Sequence, residues 1–98
     1  MDVTSIDPRG RAYPVPWRVV RDDPRHPVVS NASDRILDTV RGFVTDRSGT
    51  ARTDHFGTLR PGDAIELCLC RADTASAVVT IAWYRPGTDD EYLWRFVV

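Results

Sequence analysis

Two segments decide the fold: Ala77-Val78-Val79-Thr80-Ile81-Ala82-Trp83-Tyr84-Arg85, and Asp90-Glu91-Tyr92-Leu93-Trp94-Arg95-Phe96-Val97-Val98, joined by Pro86-Gly87-Thr88-Asp89. β-Branched and aromatic residues dominate both. A four-residue Pro-Gly connection between them predicts an antiparallel hairpin, of the kind built round a type I turn. Folding the segments symmetrically about that connection sets Ile81 opposite Trp94, Val79 opposite Phe96 and Trp83 opposite Tyr92. The large rings then share one side, which is the core face, and a slip of a single residue would turn them to solvent.

The reverse side carries Val78 opposite Val97, Ala82 opposite Leu93, Tyr84 opposite Glu91 and Thr80 opposite Arg95. An antiparallel sheet open to water ordinarily presents polar residues there. This surface is therefore expected to be covered by the N-terminal residues or to meet another molecule. Tyr84, Leu93, Arg95 and Val97 are the expected contacts, toward a protein partner or a second copy of the chain in a homodimer.

Working back toward the N-terminus, the Pro61-Gly62-Asp63 turn introduces Ile65, Leu67 and Leu69 alternating with Glu66, Cys68 and Cys70, which predicts a strand. Val15, Trp17 and Val19 define a strand over 15–21, whose Pro16 suits a sheet edge. Asp22-Asp23-Pro24-Arg25 is a turn, residues 26–30 form a further strand through Val28-Val29, and Asn31-Ala32-Ser33-Asp34 turns again. Residues 33–44 admit two readings. Ile36, Leu37, Val40, Phe43 and Val44 fit a helical stripe behind Ser33, whereas Thr39, Val40, Val44 and Thr45, with no Glu, Lys or Ala among them, favour a strand bulged near Gly42. Residues 46–50 read as a loop, and Phe56 with Leu59 as a short strand or anchor. Residues 1–14, with Asp7-Pro8, Gly10 and Pro14 and no periodicity, read as an extended arm.

The chain has 98 residues, which is one domain, and a domain of this size buries roughly two-thirds of the surface its unfolded chain exposes. With 42% apolar residues, nearly all must serve that core, so a deep pocket is not expected. The formal charge of −1 and the scatter of both signs provide no field to gather phosphate backbones or anionic lipid. Nucleic acid and membrane are therefore disfavoured as partners. All thirteen basic residues are Arg, a bias that a genome rich in G and C produces without any selection for anion binding. Met1-Asp2-Val3-Thr4 does not start a basic and then apolar leader, and no run reaches the roughly eighteen apolar residues of a membrane span. The expected location is the cytoplasm.

At Trp17-Arg18-Val19, Val28-Val29-Ser30-Asn31-Ala32-Ser33-Asp34, Leu59-Arg60-Pro61-Gly62-Asp63, Val79-Thr80-Ile81-Ala82-Trp83 and Tyr92-Leu93-Trp94-Arg95, the chain resembles small immunoglobulin-like β-sandwiches of actinobacterial proteins. The resemblance covers residues 15–98 and implies about seven short antiparallel strands in two sheets, with no activity attached. A five-stranded OB-type barrel is the alternative. The chain departs from antibody domains, since its cysteines cannot form the bridge between sheets that flanks the buried Trp.

Chemistry-bearing residues are few. Cys68 and Cys70 share one face of a strand, and their i, i+2 spacing is too wide for an unstrained disulfide, so free thiols are expected. With His26 and His55 they offer zinc-type donors, but Cys-x-Cys has no matching second pair and the histidines are far away in sequence, so no metal site and no cofactor are expected. Asp54-His55 with Cys68 supplies the residue types of a nucleophile, base and orienter set, without any local mark of an activated thiol. Asn31-Ala32-Ser33 matches a glycosylation sequon, though an Asx-type turn explains it better. The aromatic–Arg pairs Trp17-Arg18, Tyr84-Arg85 and Trp94-Arg95 put ring and charge on opposite faces, which suits a core rather than base stacking. The expected function is a non-catalytic interaction or self-association module, with small-ligand or single-stranded nucleic-acid binding as the alternative.

Overall fold

A computed structural model describes residues 4–6, 12–49, 51–87 and 89–98. The described chain is all-β, and no helix in it is long and apolar enough to cross a membrane. Seven strands form two antiparallel sheets. One holds β3 (Trp17–Val20), β4 (Val28–Asn31) and β7 (Ala64–Glu66) in the order β3-β4-β7. The other holds β5 (Leu37–Thr45), β6 (Ala51–Leu59), β8 (Val78–Tyr84) and β9 (Glu91–Val97) in the order β6-β5-β8-β9. The sheets stay separate, so the expected OB-type alternative gives way: strands do not close into a barrel. Within the expected arm, β1 (Thr4–Ile6) and β2 (Ala12–Pro14) pair with each other as an antiparallel ladder, and the rest of residues 1–14 lies outside the described chain.

The terminal hairpin has the register expected from its sequence: Val79 opposes Phe96, Ile81 opposes Trp94 and Trp83 opposes Tyr92. In its connection Gly87 takes φ of +80°, a conformation that favours glycine. Trp83 is fully buried and meets Trp17 of the other sheet edge to face, with centroids 5.5 Å apart, while stacking on Tyr92 at 5.9 Å. Trp17, Val29, Leu37, Val40, Val44, Val79 and Ile81 complete one core shared by both sheets. Each fully buried side chain of this size contributes about 1.5–3 kcal/mol.

Of residues 33–44, those from Leu37 onward form strand, as their β-branched content favours, while 33–36 precede it, bent over 33–35, and the irregularity lies at Thr39–Val40 rather than at Gly42. Thr39 takes φ of +51°, and the pairing of β5 slips there against both neighbours. Gly42 serves a different purpose: a Cβ at that position would sit 3.2 Å from Phe56 Cε2, so its hydrogen leaves room for the ring. The middle of the chain holds more strand than expected, because β6 runs for nine residues where a short strand or anchor at Phe56 and Leu59 was expected.

The Asn31 side chain locks the two sheets at one end. It is buried, its Nδ2 donates to the carbonyls of Arg35 (2.8 Å) and Leu59 (3.2 Å), and its Oδ1 accepts from Ser33 N and Ser33 Oγ. The Asx-type turn is thus present, and the amide nitrogen that a glycan would need is occupied in the folded chain. Gly62 N donates to Asn31 O, tying the Arg60-Pro61-Gly62-Asp63 turn to the same point.

Candidate metal centre

Asp23-Pro24-Arg25-His26 forms a β-turn, closed by His26 N donating to Asp23 O at 2.9 Å. Asp at the first position and Pro at the second are what such a turn favours. The Asp23 side chain adds to it: Oδ1 accepts from Arg25 N at 3.0 Å, and Oδ2 accepts from His26 Nδ1 at 2.9 Å. Where the turn ends, β4 begins, and β4 pairs with β7 so that Val28 faces Glu66. The pairing continues beyond the regular ladder, since Leu67 N donates to Pro27 O (2.9 Å) and Leu69 N to Arg25 O (2.7 Å). His26 therefore stands opposite Cys68 as a pair without mutual backbone bonds, the kind whose side chains come closest.

Alternation does the rest. Leu67 and Leu69 point into the core, and Cys68 and Cys70 point outward on the side of His26. The two sulfurs lie 2.8 Å apart, and His26 Nε2 lies 3.2 Å from Cys70 Sγ and 3.9 Å from Cys68 Sγ. Three metal-ligating atoms thus converge within 4.8 Å of one another. Both cysteines are free thiols and exposed, as expected from their spacing, but their sulfurs are not held far apart. The sequence distance of the histidines is likewise no obstacle for His26, which non-local strand pairing delivers to the thiols.

The donor set suits a thiophilic ion. Thiolate and imidazole donors select Zn²⁺ and similar borderline-soft cations. Tetrahedral zinc with ordinary bond lengths needs sulfurs about 3.8 Å apart and sulfur to nitrogen about 3.6 Å. The observed 2.8, 3.2 and 3.9 Å straddle those values, and a small rotation of one exposed cysteine about its Cα–Cβ bond opens the sulfur pair by the required amount. Asp23 supplies the supporting contact that metal-bound histidines characteristically have, a carboxylate on the far ring nitrogen that fixes the tautomer and turns Nε2 toward the ion. A shallow cleft lined by Val20, Asp22, Asp23, His26, Val28 and Glu66 adjoins the site, and its three carboxylates favour an approaching cation.

The same contacts shift the titrations. The hydrogen bond to Asp23 raises His26 above its ordinary value and, reciprocally, holds Asp23 below the usual carboxylate range. The hydrogen bond between the thiols lowers Cys68 and raises Cys70.

The other residues singled out in the sequence are dispersed. Asp54 and His55 are neighbours on β6 and so face opposite ways: Asp54 pairs with Arg52, and His55 lies in register with Arg41 on the outer face. Neither joins the cluster around Cys68. Of the expected contact residues, Leu93 is 47% and Val97 66% exposed, Arg95 is exposed and Tyr84 is half-buried. The wider sheet makes this face less apolar than the hairpin alone suggests. Arg41 from β5 lies across it, with its guanidinium 5.5 Å from the Tyr84 ring centroid and ion-paired to Glu91. No known protein family, curated protein or solved structure matches this chain.

Proposed function

We propose that the chain is a small metal-binding β-sandwich, non-catalytic, that takes one Zn²⁺ or similar thiophilic ion at Cys68, Cys70 and His26. The convergence of three soft donors within 4.8 Å, with a carboxylate behind the histidine, carries this reading. Both thiols are exposed on an open rim, a placement that favours holding an ion over enclosing a substrate. An open rim leaves a further coordination position to water, which suits uptake and release of the ion by ligand exchange. For the scaffold, the order β3-β4-β7 supports assignment to the immunoglobulin-like sandwiches, in which the first, second and fifth strands share one sheet, while β6, the fourth, departs by joining β5, β8 and β9.

The reading is tested by titrating the reduced protein with Zn²⁺ against a chromophoric chelator, and with Co²⁺ to observe thiolate-to-metal charge transfer and tetrahedral d–d bands. One ion per chain, lost in Cys68→Ser, Cys70→Ser and His26→Ala, supports it. Equal binding by the Cys68→Ser/Cys70→Ser double variant overturns it.

A second reading, self-association through the outer face of β8 and β9, is favoured by the exposure of Leu93 and Val97. Light scattering after size-exclusion chromatography decides it: a dimer that Leu93→Asp converts to a folded monomer supports it, and a monomeric parent chain sinks it.

A further inference from the structure

The sulfurs of Cys68 and Cys70 occupy an intermediate position. At 2.8 Å they are closer than a zinc clamp would set them, about 3.8 Å, and further than a covalent bond between them, about 2.05 Å. Small side-chain rotations in opposite senses therefore reach either arrangement. The backbone does not oppose the closer one. Regular pairing of β7 ends at Glu66; beyond it Leu67 N and Leu69 N still donate to Pro27 O and Arg25 O, and the chain then turns where Ala72 N donates to Leu69 O. Neighbouring i, i+2 Cα atoms of an extended chain lie near the upper end of the range disulfides span, and Cys70 stands where that extended course gives way to the turn. Both thiols are exposed, so an oxidant has access to them.

We propose that the Cys68–Cys70 pair is a redox gate on the metal site, closing to an intrachain disulfide under hydrogen peroxide and releasing the ion. This inference rests on the metal-binding reading. In the loaded site both sulfurs are thiolates. In the first step one of them attacks a peroxide oxygen: the S–O bond forms, the O–O bond breaks, and the departing hydroxide takes a proton from solvent and leaves as water. In the second step the other thiolate attacks the sulfenic sulfur: the S–S bond forms, the S–O bond breaks, and the oxygen leaves as hydroxide, which takes a second proton from solvent. Two thiolates, one peroxide and two solvent protons thus become one disulfide and two waters, sulfur being oxidised and peroxide oxygen reduced. The product no longer offers thiolate donors, leaving His26 alone of the three ligands, which cannot retain the ion. A dithiol reductant reverses the exchange and restores the site.

The experiment uses the full chain loaded with Zn²⁺, treated with equimolar hydrogen peroxide in the presence of a zinc-responsive dye. The expected result is release of one zinc per chain together with loss of both thiols, a monomer mass lower by two hydrogens, and zinc uptake again after dithiothreitol. Cys70→Ser is expected to gain oxygen at Cys68 instead and to form no intrachain bridge. Zinc retained after full thiol loss, or thiols consumed as sulfinic acid or as disulfides between chains, overturns the gate and leaves the metal site standing. Failure of the reduced chain to take up zinc overturns the metal site and the gate with it, and the thiol count and mass keep that failure distinct.

Discussion

Asp23 Oδ2 and His26 Nδ1 lie 2.9 Å apart, and the same carboxylate closes the turn on which His26 stands through Arg25 N. One side chain therefore sets both the position of the imidazole and the direction of its Nε2. Asp23→Asn separates the two roles, because an amide oxygen still accepts from Arg25 N while the anionic partner of the ring is gone. Zinc affinity of this variant is expected to fall about 10–100-fold with its one-to-one stoichiometry unchanged. Chelator competition measures both, and an affinity equal to that of the parent chain would count against any role for Asp23 behind the ligand.

In the metal-free chain the same pair predicts a defined pH dependence. His26 titrates above its unfolded value, so its contribution to stability is complete below about pH 6.5 and fades as pH rises through the raised folded value. Asp23 titrates below its unfolded value, so its contribution is complete above about pH 4 and fades as pH falls through the lowered one. The pair stabilises between those limits. Thermal melts of parent and Asp23→Asn chains are expected to differ most between about pH 4 and 6.5 and to converge as pH rises through the raised His26 value, with NMR of the His26 ring in the variant returning toward the ordinary value. Because both side chains are partly exposed, the difference is small and shrinks with salt.

How far this architecture could be read from sequence depended on where the pairing information lies. The β8–β9 register was legible residue by residue, because a short connection and rings restricted to one face leave only one alignment. The first half of β6 was missed because it is an edge strand, exposed along most of its length, and Arg52, Thr53, Asp54 and His55 show no apolar alternation. The candidate metal centre was half legible. Cys-x-Cys on an alternating strand put both thiols on one face, and His26 sat at the head of another expected strand. What the sequence did not state was that those strands pair with Val28 against Glu66, which alone brings His26 opposite Cys68. The bulge at Thr39–Val40 was equally hidden, since neither residue favours a positive φ and tertiary pairing imposes it.

Asn31 offers a stability test independent of the metal. Its four hydrogen bonds join the end of β4 to the Ser33–Arg35 loop and to the end of β6, all around a buried side chain. Asn31→Ala takes a donor away from the Arg35 and Leu59 carbonyls and removes the acceptor of Ser33 N, so a loss of about 2–3 kcal/mol is expected. Asn31→Asp keeps the acceptor but turns a carboxylate toward the Arg35 and Leu59 carbonyls, and is expected to cost at least as much. Urea unfolding should show a lower midpoint at unchanged slope, and a midpoint within error of the parent would mean that this junction contributes nothing.

Gly42 and Gly62 are both required, for reasons that a double-mutant cycle separates. Gly62 has φ of +85° in the Pro61-Gly62 corner, and no atom lies within 4 Å of the position a Cβ would take. Gly62→Ala therefore meets only backbone strain, about 1–2 kcal/mol, whatever surrounds it. Gly42 has no such φ, but its added Cβ would meet Phe56 Cε2 at 3.2 Å and Leu67 Cδ2 at 3.8 Å. The penalty of Gly42→Ala is thus set by how far the Phe56 ring can yield, within the 1–3 kcal/mol typical of overpacking. Replacing Phe56 by Leu is expected to recover most of the Gly42→Ala loss, giving a coupling of about 1 kcal/mol, and to leave the Gly62→Ala loss unchanged. Equal effects of Phe56→Leu on both glycine variants would show that the ring does not fill the space above Gly42.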